Sequence, residues 1–361
     1  MTRTIYLSIA TLFILSACEN TPEASFVFQP ERVEQDAGTE ALFIGVAAVD
    51  ENVVWLSGTG GTYSVTTDGG DTWRTSTVPG ADSLQFRDVE AFDENRAHLL
   101  SIGPGTQSRI YSTADGGQSW TMDFQNELEN GFFDCIDFFD DKIGLGFSDS
   151  IDEQFVLIRT EDGKNWTRID PEGLPPALEG EGAFAASGTC LQVIDSNTAM
   201  VATGAASRPR LLVTRDRGQT WSVMDLPIVG GTGASGSTSI SFFDSEVGMI
   251  VGGDIAAPDS FTTNVIVTMD GGETWTPATG QPETAGAFYG SSTVPGAPTH
   301  TLVAVGPGGA DLTMDYGQTW TNIDTLNLWS TSFVDATNGW TVGMNGKVIK
   351  WSLFSPESEQ D

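Results

Sequence analysis

Apolar residues along this chain fall in short Val/Ile/Phe-rich runs, each closed by Gly, Asp or Pro. Thr238-Ser-Ile-Ser-Phe-Phe-Asp244 is followed by Val247-Gly-Met-Ile-Val-Gly-Gly253, then Asn264-Val-Ile-Val-Thr268, then Thr274-Trp-Thr276. Runs of this length, rich in β-branched and aromatic residues and bounded by turn residues, predict β-strands. No segment of helix length carries a 3.6-residue apolar period. The plan repeats: an apolar strand ends in an Asp turn, a second ends in Gly, a third leads into a polar turn, and a fourth starts at a Trp.

The polar turn is the clearest internal repeat. It reads Thr66-Thr-Asp68-Gly-Gly-Asp-Thr-Trp73, Ser112-Thr-Ala-Asp115-Gly-Gly-Gln-Ser-Trp120 and Thr160-Glu-Asp162-Gly-Lys-Asn-Trp166. It returns as Thr214-Arg-Asp216-Arg-Gly-Gln-Thr-Trp221, Thr268-Met-Asp270-Gly-Gly-Glu-Thr-Trp275 and Thr313-Met-Asp315-Tyr-Gly-Gln-Thr-Trp320. The aspartates are 47, 47, 54, 54 and 45 residues apart. An Asp carboxylate accepting backbone N–H groups, a Gly at positive φ and a Thr or Ser hydroxyl make a tight hairpin turn, and the Trp packs across it.

Four short strands per period of this size predict an all-β propeller. Six units are complete. A seventh, Leu328–Trp351, shows three strands and no polar turn. Its missing outer strand is expected from Ser25–Arg32, which closes a seven-bladed ring of four-stranded antiparallel blades by pairing the two chain ends. A six-bladed ring with a loose tail is the alternative.

Composition narrows the function. The 361 residues hold 49 Asp+Glu against 16 Lys+Arg, a formal charge of −33. That field excludes nucleic-acid binding and docking on anionic lipid through basic residues. At 39% hydrophobic residues, the chain can bury a core, which excludes disorder.

The start, MTRTIYLSIATLFILSACEN, has Arg3, an apolar run too short to span a bilayer, and Leu15-Ser-Ala-Cys18. It resembles the bacterial lipobox, which implies cleavage before Cys18 and a lipid on its thiol. The expected organisation is a signal peptide over 1–17, an anchor and tether over 18–24, the propeller over 25–352 and an acidic tail over 353–361. Glu19 after the Cys implies, by the same resemblance, an outer-membrane address in the cell envelope.

The repeated turn resembles the Asp-box, or BNR repeat, of sialidases and sortilin-type receptors. With the units laid out, nearly the whole mature chain resembles the photosystem II stability/assembly factor-like propellers, in an exported bacterial branch often labelled "oxidoreductase" or "glycosyl hydrolase". Leu84–Phe92, Ser108–Tyr111, Phe133–Phe139 and Gly180–Cys190 carry the likeness beyond the boxes. The resemblance implies a protein-binding assembly factor. The partner-binding face of the photosynthetic members is Arg-rich, and this chain is acidic.

Support for an enzyme is thin. The Arg-Ile-Pro segment of sialidases is missing, as are Cys-x-x-Cys, His-Glu-x-x-His and a nucleophile elbow. The Gly-rich stretches join strand to strand, so no dinucleotide is expected. His98 and His300 lie in different units and are expected in strands. No cofactor and no metal is expected. A glycan-binding or sialidase-like glycoside hydrolase is the second reading.

A ligand on a propeller is expected at a mouth of the central channel, on the first strand of a blade or the loops beside it. Arg87, Asp88 and Asp134 lie on predicted first strands, and Glu181 lies on the loop into the fourth unit. Arg109 and Arg210 each start a third strand, six residues before a box Asp. Arg87, Arg109 and Arg210 together make a cationic spot suited to a carboxylate. The alternative is pairing of these arginines with Asp88, Asp134 and Glu181. Cys135 and Cys190 occupy equivalent positions in adjacent units and form either a disulfide or two buried thiols. The expected protein is a monomeric, lipid-anchored scaffold whose partner is an envelope protein first and a glycan second. Its only membrane contact is the lipid.

Overall fold

The structure is a computed structural model and describes residues 26–356; Cys18 and the expected signal and tether lie outside them. Seven four-stranded antiparallel sheets follow one another round a ring. Blades one to six span 43–77, 85–125, 133–168, 191–225, 235–277 and 290–324. Blade seven joins Leu328–Asp335, Asn338–Gly343 and Lys347–Pro356 to the N-terminal strand Phe26–Asp36.

That last pairing closes the ring. Phe26 lies opposite Pro356 and Asp36 opposite Lys347, with a bulge between Phe28 and Glu31. It satisfies the edge that a three-stranded seventh blade would leave open. The closing strands are longer than the sequence indicates. Leu353 and Phe354 are buried at 0% and 1% exposure, so 353–356 belong to the blade and not to an acidic tail.

The antiparallel order gives the ring two faces. Loops between blades, and between second and third strands, lie on what is termed the loop face. Turns between first and second strands, and the repeated Asp turns, here termed boxes, lie on the box face. In the first box, Asp68 Oδ1 accepts from Thr72 N at 2.9 Å and from Thr66 Oγ1 at 2.7 Å. Thr66 Oγ1 accepts from Gly70 N at 2.9 Å. These bonds hold the Asp68 carboxyl at about 2, below its ordinary value, with Thr72 the largest cause.

Each box Trp packs against the preceding blade. Trp120 meets Tyr63 of blade one at 5.0 Å, and Trp166 meets Phe138 and the blade-two residues Leu100 and Ile110. The second box glycine permits this approach. A Cβ on Gly117, which has φ +81°, would lie 2.6 Å from the Tyr63 ring. The core is therefore a set of apolar layers between blades, as in the cluster of Trp55, Tyr63, Phe86, Leu99 and Tyr111 between blades one and two.

Candidate functional site

Each inner strand presents alternate side chains to the channel. These side chains also tie one blade to the next. Asp137 Oδ2 accepts from Val193 N at 2.6 Å, and Gln192 Oε1 from Phe242 N at 3.1 Å. Ser292 Oγ accepts from Phe333 N and Ser332 Oγ from Ala48 N, both at 3.2 Å. Nearer the loop face, Asp88 Oδ2 accepts from Ile136 N at 2.7 Å. At the same level Cys135 and Cys190 form a disulfide between blades three and four, with Cα atoms 6.0 Å apart.

The segment leading to Cys190 crosses the channel. Arg87 Nη1 of blade two donates to Ala185 O at 2.9 Å, and Ser187 Oγ donates to Tyr289 O beside blade six at 2.8 Å. Ser330 Oγ of blade seven donates to Ser187 O at 3.3 Å. Residues that reach blades two, six and seven before entering blade four must pass over the axis. Gly188, with φ +84°, lies against Asp88, where a Cβ would come within 2.3 Å of Oδ1. The channel is thus plugged on the loop face. Sequence reasoning missed the plug. Its only local signal is the small-residue run Gly182–Gly188, and its contacts lie about a hundred residues away in either direction.

On the box-face side of the plug the channel is a cavity of about 260 Å³, floored by Gly188 and Thr189. Ser and Thr hydroxyls line much of it; Glu90 and Asp137 stand on one wall. Burial pushes Asp137 up to about 7, while its bonds from Val193 and Phe138 N–H groups oppose the shift. Burial first, then the charges of Asp137 and Asp88, push Glu90 well up. A carboxyl whose folded value is raised contributes stability that is complete below the unfolded value near 3.8 and is lost as pH rises through about 7. Unfolding free energies from urea titrations between pH 4 and 7.5 should therefore fall less in Asp137→Asn than in the parent, by at most about 4 kcal/mol. Parallel curves would refute this role for Asp137.

The three arginines do not converge. Arg210 is 6% exposed and forms a forked ion pair with Glu181, which is 0% exposed. Its Nη2 also donates to Pro176 O at 3.0 Å, and its guanidinium lies 5.5 Å from the Phe155 ring. Thr203 Oγ1 and Leu178 N complete the Glu181 carboxylate at 2.7 and 2.8 Å. Arg109 is held by its own blade, donating to Thr106 O at 2.7 Å and Tyr111 Oη at 3.2 Å. Asp88 and Asp134 are 3% and 1% exposed, closed to any ligand. Asp88 is bonded to backbone, not to an arginine. Asp134 is raised by burial first and then by Asp149, itself pushed up to about 6 by burial.

Arg87 alone remains at the mouth. A bulge between Phe86 and Asp88 turns its side chain toward the loop face. The equivalent bulge in blade seven presents Trp329. The Arg87 guanidinium lies 5.4 Å from the Trp329 ring centroid, and Tyr289 meets Trp329 edge-on at 4.9 Å. All three are partly exposed. Arg87 Nε is buried without a partner. Burial draws the guanidinium below its ordinary value, and Tyr289 and Asp134 oppose that. Trp329 was not singled out in the sequence, although the bulge register places it in line with Arg87. His98 lies in a strand as expected, but His300 lies in a loop, bonded to Tyr316 Oη at 2.7 Å.

No protein-family model matches the chain, and no curated protein matches it. Solved structures do. YCF48 bound to a D1 peptide is similar with TM-score 0.59 at 17% identity, over 89% of this chain and 96% of that one. YCF48 from Cyanidioschyzon merolae gives TM-score 0.62 at 15% identity, over 88% and 98%. The WD40 β-propeller domain of Doa1 gives 0.58 at 14%, over 90% and 98%. At such identities the likeness is one of fold, a β-propeller like that of YCF48.

Proposed function

We propose that this propeller is a protein-binding scaffold that docks its partner on the loop face, centred on Arg87, Tyr289 and Trp329. The carrying observation is that cluster. Trp, Tyr and Arg are the residues most enriched at the energetic centres of protein interfaces, and here they meet over the plugged mouth of a rigid ring. Ile255 and Phe261, on the exposed blade-five loop of the same face, add apolar rim. A YCF48 structure holds a peptide, which supports the same use of this fold. The proposal includes no catalytic step.

The lipobox reading places the scaffold in the bacterial envelope through Cys18. The strand Phe26–Asp36 starts on the box face, because Phe26 pairs with the end of a strand that leaves the loop face at Lys347. Seven residues, 18–24, reach at most about 25 Å. On that reading the box face is the one turned to the membrane.

The test is recovery of the lipidated protein from its own membranes, identification of the bound protein, and measurement of its affinity for variants. Arg87→Ala and Trp329→Ala should each weaken binding by about thirtyfold, and Arg109→Ala should leave it unchanged. Retained binding in both of the first two would move the partner off this face. No observation favours the glycan or glycoside-hydrolase reading, since Arg109 and Arg210 are tied elsewhere and Asp134 is buried at 1% exposure.

A further inference from the structure

A second cavity, of about 390 Å³, lies between blades two and three on the box face, bounded by the turns of Asp115 and Asp162. Most charged groups around it are already engaged. Asp162 holds its own turn, accepting from Asn165 N at 2.7 Å and Lys164 N at 2.9 Å. Arg96 is forked between Asp93 and Asp141, each at 2.8 Å.

Three groups are left over. His98 is 6% exposed and lines the cavity, yet its Nδ1 has no hydrogen-bond partner. Its Cε1–Nε2 edge faces Gly163, where even an added Cβ would stay 3.9 Å away. Asp123 is bonded by the Ser112 side chain, but its Oδ2 is buried without a partner. The Lys164 side chain is exposed at the rim and forms no ion pair among the described residues. Native proteins rarely leave buried polar groups unpaired, and such groups mark a missing partner.

The charges define what fits. Burial beside Phe92 and Phe138 pushes His98 down to about 4, so its ring is neutral near pH 7. Burial also raises Asp123, against the Ser112 hydrogen bond and the nearby Lys164 charge. The floor thus offers acceptors and the rim one cation. A bare cation would meet Lys164, and a bare anion would meet the turn aspartates. Among the described residues no three His, Cys, Asp or Glu side chains group as a metal requires.

We propose that this cleft binds a small zwitterion of the α-amino-acid class, its ammonium on His98 and Asp123 and its carboxylate on Lys164. The site is separate from the loop face and independent of the docking reading.

The chain has two histidines, so their ring signals in NMR are few enough to assign, and His300 serves as internal control. The full-length protein is titrated with each standard free L-amino acid, and with propylamine and propionate as half-ligands. At least one amino acid should shift the His98 signal with a millimolar or tighter Kd, and each half-ligand should bind at least about tenfold more weakly. Asp123→Asn should weaken both the amino acid and propylamine. Lys164→Ala should weaken the amino acid about tenfold but not weaken propylamine, which loses a repelling charge. The proposal is overturned if no amino acid moves His98, if propylamine binds as tightly as the amino acid, or if Lys164→Ala has no effect.

Discussion

Glu181→Ala should lower the unfolding free energy by about 3–5 kcal/mol, because it strands the Arg210 charge inside the protein. Arg210 is 6% exposed, and its remaining neutral partners are Pro176 O and the Phe155 ring. Glu181 also accepts from Leu178 N, which loses its acceptor, whereas Thr203 Oγ1 keeps a second one, Arg210 O at 3.0 Å. The double variant Glu181→Leu/Arg210→Met should recover most of the loss, since an apolar pair of similar volume removes both charges together. Urea unfolding of the three proteins is the measurement. The pair lies one turn from the plug, so hydrogen exchange over 183–189 should accelerate in Glu181→Ala and return toward the parent rate in the double variant. A single variant within 1 kcal/mol of the parent would mean that Arg210 finds water or another acid, and would remove the pair as the anchor of the plug.

The disulfide carries the second large effect. Cys135 and Cys190 are separated by 55 residues. The chain-entropy model assigns such a link about 4 kcal/mol through the unfolded state. The double variant Cys135→Ala/Cys190→Ala should lose roughly that amount, and reductant should destabilise the parent but not the variant. Both sulfurs are fully buried between blades three and four, so part of the loss reflects two small cavities. Reductant that leaves the parent unfolding curve unmoved would refute the link. The disulfide also ends the plug, since Gly188 and Thr189 directly precede Cys190. Its removal frees the one covalent hold on the segment that crosses the channel.

The repeated units were legible because their signals are local. The repeated Asp turn needs a carboxylate, a hydroxyl and a residue at positive φ within a few positions, and it forms the same bonds wherever it recurs. Asp68 and Asp115 each accept from the hydroxyl four residues on at 2.6 Å. The equivalence of Cys135 and Cys190 was likewise a matter of counting within the period. The candidate site was read less well. Arg109 and Arg210 share a repeat position, yet one bonds its own loop and the other a glutamate from the entry segment. A shared position fixes where a side chain starts. The insertions that differ between blades set what it meets.

From the sequence alone came seven strand groups, the turns that join them and the pairing of the two chain ends, because periodicity and turn chemistry act over a few residues and a ring must close. Only the tertiary structure decided which distant side chains meet. The plug, the Glu181–Arg210 pair and the meeting of Arg87 with Trp329 join residues from 29 to 242 positions apart. Such meetings depend on the order of blades round the axis and on the length of each connecting loop, which no local pattern encodes.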